Sequence, residues 1–144
     1  MKRNSKLSLA LHVLGHMAAD ASYPRTSAEI AELHETHPAF VRRVLGLLRE
    51  GGLLTSEKGH SGGWFLARTP EEITLADVYV ALGERFMRPE PTGEDNPVTC
   101  VIERALRGEV ETALDLAEAT LVDELRRTTI ARLAEAYQDA ALKS

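Results

Sequence analysis

The sequence has 144 residues, 44% apolar and 27% charged, which suits one domain, or one small domain with an appendage, and excludes wholesale disorder. Its single cysteine, Cys100, excludes a disulfide within the chain and a thiolate metal site built from one chain alone. The net charge of −5 is unevenly placed: through Arg68 nine Lys and Arg meet six acids, and beyond it eight meet sixteen, so the cations sit where a phosphate-binding patch could form.

Ser5 caps a first helix in which Leu7, Ala10, Leu11, Leu14 and Ala18 fall at helical spacing, and the helix is expected to end near Ala19. Tyr23-Pro24 breaks the chain. Thr26-Ser27-Ala28-Glu29 then reads as a capping box, with Glu29 reaching back to the cap. The short second helix is expected to bury Ala28, Ile30, Ala31 and Leu33 in part and to end near His34. After a turn at Glu35-Thr36, Pro38 opens a third helix that stops at Gly51-Gly52. This helix carries two stripes. Val41, Val44, Leu45 and Leu48 must face a core, whereas Ala39, Arg42, Arg43 and Gly46 form a short-chained cationic face with Phe40 at its edge. Such a face suits something flat and negatively charged.

Leu53 to Ser56 and Trp64 to Ala67 are strand-like, and the Gly-rich stretch between them predicts a hairpin with a flexible tip. Three short helices followed by a hairpin give the order of a winged helix-turn-helix. Thr74 and Asp77 cap a further helix with Leu75, Val78, Tyr79 and Leu82 on one face, and residues 83–97, with three prolines, read as a loop. Asn96 and Pro97 are expected to start a long helix. Its stripe is Val98, Ile102, Leu106, Val110, Leu114, Ala117, Leu121 and Leu125. A rod ~40 Å long at 1.5 Å per residue exceeds what a small winged domain covers, so a two-fold homodimer is expected along it. Arg126-Arg127-Thr128-Thr129 ends or kinks the rod, and a last helix with Ile130, Leu133, Ala134 and Tyr137 inward folds back. The expected fold class is mainly α with a small β-hairpin: a winged helix-turn-helix domain (1–69), a connecting helix and loop (70–97), and a dimerisation helix with its return helix (98–144).

Residues 38–68, PAFVRRVLGLLREGGLLTSEKGHSGGWFLAR, resemble the Rrf2 family of bacterial transcription regulators, the family of the iron–sulfur regulator IscR and the nitric oxide regulator NsrR. The resemblance rests on the Leu48-Arg49-Glu50-Gly51-Gly52-Leu53-Leu54 junction and the Lys58-Gly59 and Gly62-Gly63-Trp64 wing. Ile73-Thr74-Leu75-Ala76-Asp77-Val78 after the wing adds to it. It implies a homodimeric, cytoplasmic regulator of double-stranded DNA, usually a repressor. Recognition contacts would fall on His37, Ala39, Phe40, Arg42 and Arg43. A minor-groove finger would fall on Lys58 with Gly59 and His60, and a phosphate-facing helix start on Thr26 and Ser27. Cluster-binding members use three cysteines in and after the loop that is 84–98 here; this sequence has none between Glu84 and Thr99 and only Cys100 at the edge, so an iron–sulfur cluster is not expected.

The expected interface of the homodimer comprises Ile102, Leu106, Val110, Leu114, Ala117, Leu121 and Leu125. Cys100, in or just past the opening turn of the rod, reads either as a redox sensor favoured by the helix dipole or as a small packing residue. A small-molecule effector near the 84–98 loop is the other signal weighed. His12 and His16 stand at i, i+4 without a third ligand, and with His34 and His37 they are read as packing or surface residues, so no metal site is expected. No nucleophile–base constellation points to an enzyme. The alternative function is a winged-helix protein–protein module using Phe40, Arg42 and Arg43. No apolar run approaches the ~18 residues of a membrane span, and residues 1–5 followed by Lys6 lack a signal-peptide core, so no membrane partner is expected.

Overall fold

The computed structural model describes residues 5–60, 62–87 and 100–144. The order is α1 (Lys6–Ala19), α2 (Ser27–Leu33), α3 (Pro38–Glu50), β1 (Leu54–Glu57), β2 (Gly63–Leu66), a 3₁₀ turn (Pro70–Glu72), α4 (Leu75–Ala81), α5 (Val101–Leu125) and α6 (Ile130–Lys143). Side-chain caps set several of these starts. Ser5 Oγ accepts the Ser8 amide at 3.1 Å, and Thr74 Oγ1 accepts that of Asp77 at 3.1 Å while Asp77 accepts the Thr74 amide at 3.0 Å. Each such cap satisfies amides the first helical turn leaves without partners.

The core is built from Leu14 of α1, Ile30 of α2, the Val41–Val44–Leu45–Leu48 stripe of α3, Leu53 and Leu54 beside the hairpin, and Ile73, Val78 and Tyr79 around α4. Burying each large aliphatic side chain contributes roughly 1.5–3 kcal/mol. The core runs across the chain positions 69 and 98, because Ile130 of α6 is fully buried in it. The Ile130 amide donates to the Ile73 carbonyl at 2.8 Å and the Leu75 amide to Thr128 at 2.9 Å, so the return helix is stitched to the segment after the wing. From there α6 lies along α1, as a returning helix should.

Several local expectations change. Ala28 and Leu33 are exposed, because a helix of seven residues presents only Ile30 and Ala31 to the core. Glu29 does not reach the Thr26 amide; its carboxylate takes the Thr26 hydroxyl at 2.7 Å instead. Tyr137 is 42% exposed rather than inward, its ring T-shaped to that of His16 with the centres 4.9 Å apart. The expected starts of the rod at Asn96 and Pro97, and Val98 of its stripe, lie outside the described residues. α5 itself begins at Val101, with Cys100 as its N-cap rather than inside its first turn.

The rod is present and no residue of it is buried within the chain. Its 25 residues span about 37 Å. Leu121, Val122 and Leu125 at the carboxy-terminal end pack on the core, and Leu114 and Ala117 are half-buried. Towards the start, Ile102, Leu106 and Val110 are 78%, 62% and 49% exposed. Mid-rod, the buried Tyr79 donates its hydroxyl to Glu118, and the Phe86 amide donates to the same phenol oxygen at 2.8 Å. Burial, with Glu118 adding to it, pushes the Tyr79 phenol up to about 12, so it remains a donor.

Candidate nucleic-acid interface

The inward stripe of α3 fixes what its other side can do. With Val41, Val44, Leu45 and Leu48 at zero exposure, the helix cannot rotate, and His37, Ala39, Arg42 and Arg43 are exposed on the outer side. Arg42 and Arg43 form no ion pair among the described residues, so both guanidinium charges face solvent. Phe40 departs from the expected surface: it is half-buried and packs against the core.

The hairpin stands beside this face. Its strands pair Leu54 with Leu66, Thr55 with Phe65, Ser56 with Trp64 and Glu57 with Gly63. Lys58, Gly59 and His60 are exposed at the tip, where Gly59 takes φ 103°. The root is braced on both sides. Trp64 donates its indole N–H to Ser27 Oγ at 2.9 Å and its amide to the Arg25 carbonyl at 2.9 Å. Arg49 of α3 donates to Ser56 Oγ at 2.9 Å and lies 5.6 Å from the centre of the Trp64 ring. Helix pair and wing therefore form one rigid unit, which a reader of two adjacent grooves needs.

Thr26 and Ser27 are differently employed. The Thr26 hydroxyl donates to Glu29 and accepts its amide at 3.3 Å, and the half-buried Ser27 hydroxyl receives the Trp64 indole. Sequence reading did not single out Arg25 or Arg49, and it gave Trp64 as part of the wing motif but not as the brace between wing and helices. A signal for Arg49 existed, since it stands seven residues after Arg42 and so on the same helical face.

Cys100 is exposed, and the Glu103 and Ile102 amides at the start of α5 hold its thiol below the ordinary cysteine range. The 84–98 loop lies outside the described residues from Arg88 onward. His12, His16 and His34 gather with Tyr23 and Tyr137: His16 stacks on Tyr23 at 5.4 Å, and the Tyr23 hydroxyl meets His34 Nε2 at 2.8 Å. Burial is the main reason the His16 and His34 imidazoles titrate low. His16 and His34 are half-buried, His12 is exposed with its Nδ1 2.8 Å from the Ser8 carbonyl oxygen, and among the described residues no three His, Cys, Asp or Glu side chains are placed to share a metal ion.

A family model described as Rrf2, iron-dependent transcriptional regulator, matches residues 3–136. The chain belongs to the Rrf2 family. Among Rrf2-type relatives, YwnA of Bacillus subtilis (strain 168), named for an HTH-type transcriptional regulator, is 29% identical over 123 residues, 85% of this chain and 89% of its own. The IscR structure from T. potens superposes with a TM-score of 0.62 at 20% identity, covering 97% of this chain and 90% of that one. Staphylococcus aureus CymR gives 0.58 at 25% identity, covering 90% and 95%. The expected winged helix-turn-helix architecture is thus the fold of an Rrf2 transcription regulator. The family and the relatives are regulators rather than enzymes, and no described helix is long and apolar enough to cross a membrane.

Proposed function

We propose that this Rrf2 chain acts in the cytoplasm as a homodimeric, non-enzymatic repressor that binds a pseudo-palindromic operator. The observation that carries this reading is the outward Arg42–Arg43 face of α3, unpaired among the described residues and tied to the hairpin that bears the Lys58–His60 tip by the Arg49 contacts to Ser56 and Trp64. α3 enters a major groove and the tip follows the adjacent minor groove, with two such units about 34–36 Å apart along the duplex. The exposed Ile102, Leu106 and Val110 stripe supports pairing through α5, since an apolar stripe of that length calls for a second surface. A protein–protein role for the α3 face is less well supported, because Phe40, its only aromatic anchor, is turned to the core.

The family description implies iron. The donor set does not fit an iron–sulfur cluster: each chain brings one thiol, so a dimer brings two, short of the usual four. No step of this proposal passes through iron. The input assigned instead is Cys100, whose thiolate takes one oxygen from a peroxide to give a sulfenic acid and hydroxide, the change then altering the pairing of the rods. A small-molecule effector beside the 84–98 loop is the second input to test. Selection of bound fragments from the source genome with reduced and peroxide-treated protein, alongside sedimentation, tests the whole. Enrichment of an inverted repeat by a dimer, lost on oxidation and retained in Cys100→Ser, is expected. Enrichment of no sequence refutes operator binding, and equal release from Cys100→Ser removes the thiol from the mechanism.

A further inference from the structure

Arg25 precedes the cap of α2 and belongs to neither the recognition helix nor the wing in sequence, yet the fold places it between α2 and the wing. Its carbonyl accepts the Trp64 amide at 2.9 Å, which makes it a one-residue extension of the hairpin on the β2 side. Gly63 permits this approach. It takes φ 132°, and a Cβ there would stand 2.5 Å from the Arg25 carbonyl oxygen. The side chain lies across the wing, its guanidinium carbon 5.3 Å from the centre of the Phe65 ring. Phe65 pairs with Thr55, out of phase with the inward Trp64, so this ring is on the side of the hairpin away from the core. Arg25 is half-buried and has no carboxylate partner among the described residues. A planar cation supported on an aromatic face loses little side-chain freedom when it takes a second partner, and its fork suits phosphate oxygens.

We infer that Arg25, supported on Phe65 at the junction of α2 and the wing, grips a backbone phosphate of the bound duplex where the chain crosses from one groove to the next. This rests on the DNA-binding reading above and adds a residue that neither the recognition helix nor the wing tip supplies. The contact is sequence-independent, because phosphates carry no base information.

The test uses the full chain and a mixed-sequence duplex, titrated by fluorescence anisotropy across 50–200 mM salt. In Arg25→Gln, the slope of log affinity against log salt falls by about 0.9 per bound chain, so the affinity lost across that range is about 3.5-fold smaller than in the unaltered protein. Arg25→Lys keeps the charge and the slope. Phenylglyoxal modification read by mass spectrometry provides a measurement on the unaltered protein, with Arg25 protected by the duplex and Arg126 and Arg127 as references. An unchanged slope in Arg25→Gln, or equal modification with and without duplex, overturns the inference while leaving DNA binding intact. If the unaltered protein binds no duplex in a salt-dependent way, both readings fall.

Discussion

Replacing Arg42 and Arg43 together by alanine removes two exposed charges from the outer face of α3 and touches none of its buried stripe. Each phosphate contact contributes about 0.9 to the slope of log affinity against log salt, so the pair contributes about 1.8 per chain and about 3.6 for a homodimer. Between 50 and 200 mM salt, the single-chain figure is about a twelvefold smaller loss of affinity than the unaltered protein shows. Both side chains are exposed and unpaired among the described residues, so stability should change by only about 0.5 kcal/mol or less. The assay is an anisotropy titration at four salt concentrations, with circular dichroism melts of both proteins. An undiminished slope with a normal melt would falsify the assignment of this face to DNA. If the loss fell on the operator but not on a mixed-sequence duplex, the arginines would be reading bases rather than gripping phosphates.

Four further outcomes are expected. Ile102→Asp with Leu106→Asp should yield monomers in sedimentation velocity while retaining helical content, because both positions are open to solvent within one chain; persistent dimers would place the interface elsewhere. Leu45→Ala, at a site of zero exposure, should cost about 2.7–5 kcal/mol in urea unfolding. Gly63→Ala should destabilise by at least about 1–3 kcal/mol and weaken DNA binding, since its φ and the Arg25 backbone both oppose a Cβ. As pH falls through about 6.5, the unfolded chain takes protons on His16 and His34 that the folded chain resists, so stability should decline from pH 7.5 to 5.5. His16→Phe, which keeps a ring against Tyr23, should flatten that decline in thermal melts.

The readable parts of this fold are those governed by local rules. The Ser5, Thr26 and Thr74 caps, the glycines after α3 and the α3 stripe announced elements and inward faces without reference to distant residues. What escaped was set by contacts between segments far apart in sequence. Trp64 reads as one aromatic residue of a strand, and nothing local shows that its indole would meet Ser27, 37 residues earlier. The same holds for Arg25, an ordinary basic residue until Gly63 allows the strand to close against it. The N-cap of α5, Cys100, is not one of the Ser, Thr, Asp or Asn residues by which a helix start is read from sequence, so the first turn at Val101 carries no local signal. Periodicity says which side of a helix turns inward, but not which neighbour it meets.

The amino-terminal half of α5 has a consequence for how this molecule behaves when scarce. From Val101 to Ala113 the helix is exposed along its whole length, and an isolated segment of that size is marginal in water. On the proposed pairing through α5, its order is expected to rise and fall with the concentration of the second copy. Dilution should loosen the first turns of the rod, beginning beside Cys100, well before the domain around Leu45 yields. Amide exchange followed at falling protein concentration would register this as early labelling of the rod's leading turns, so that the abundance of the protein in the cell would itself set how firmly two reading units are held in register.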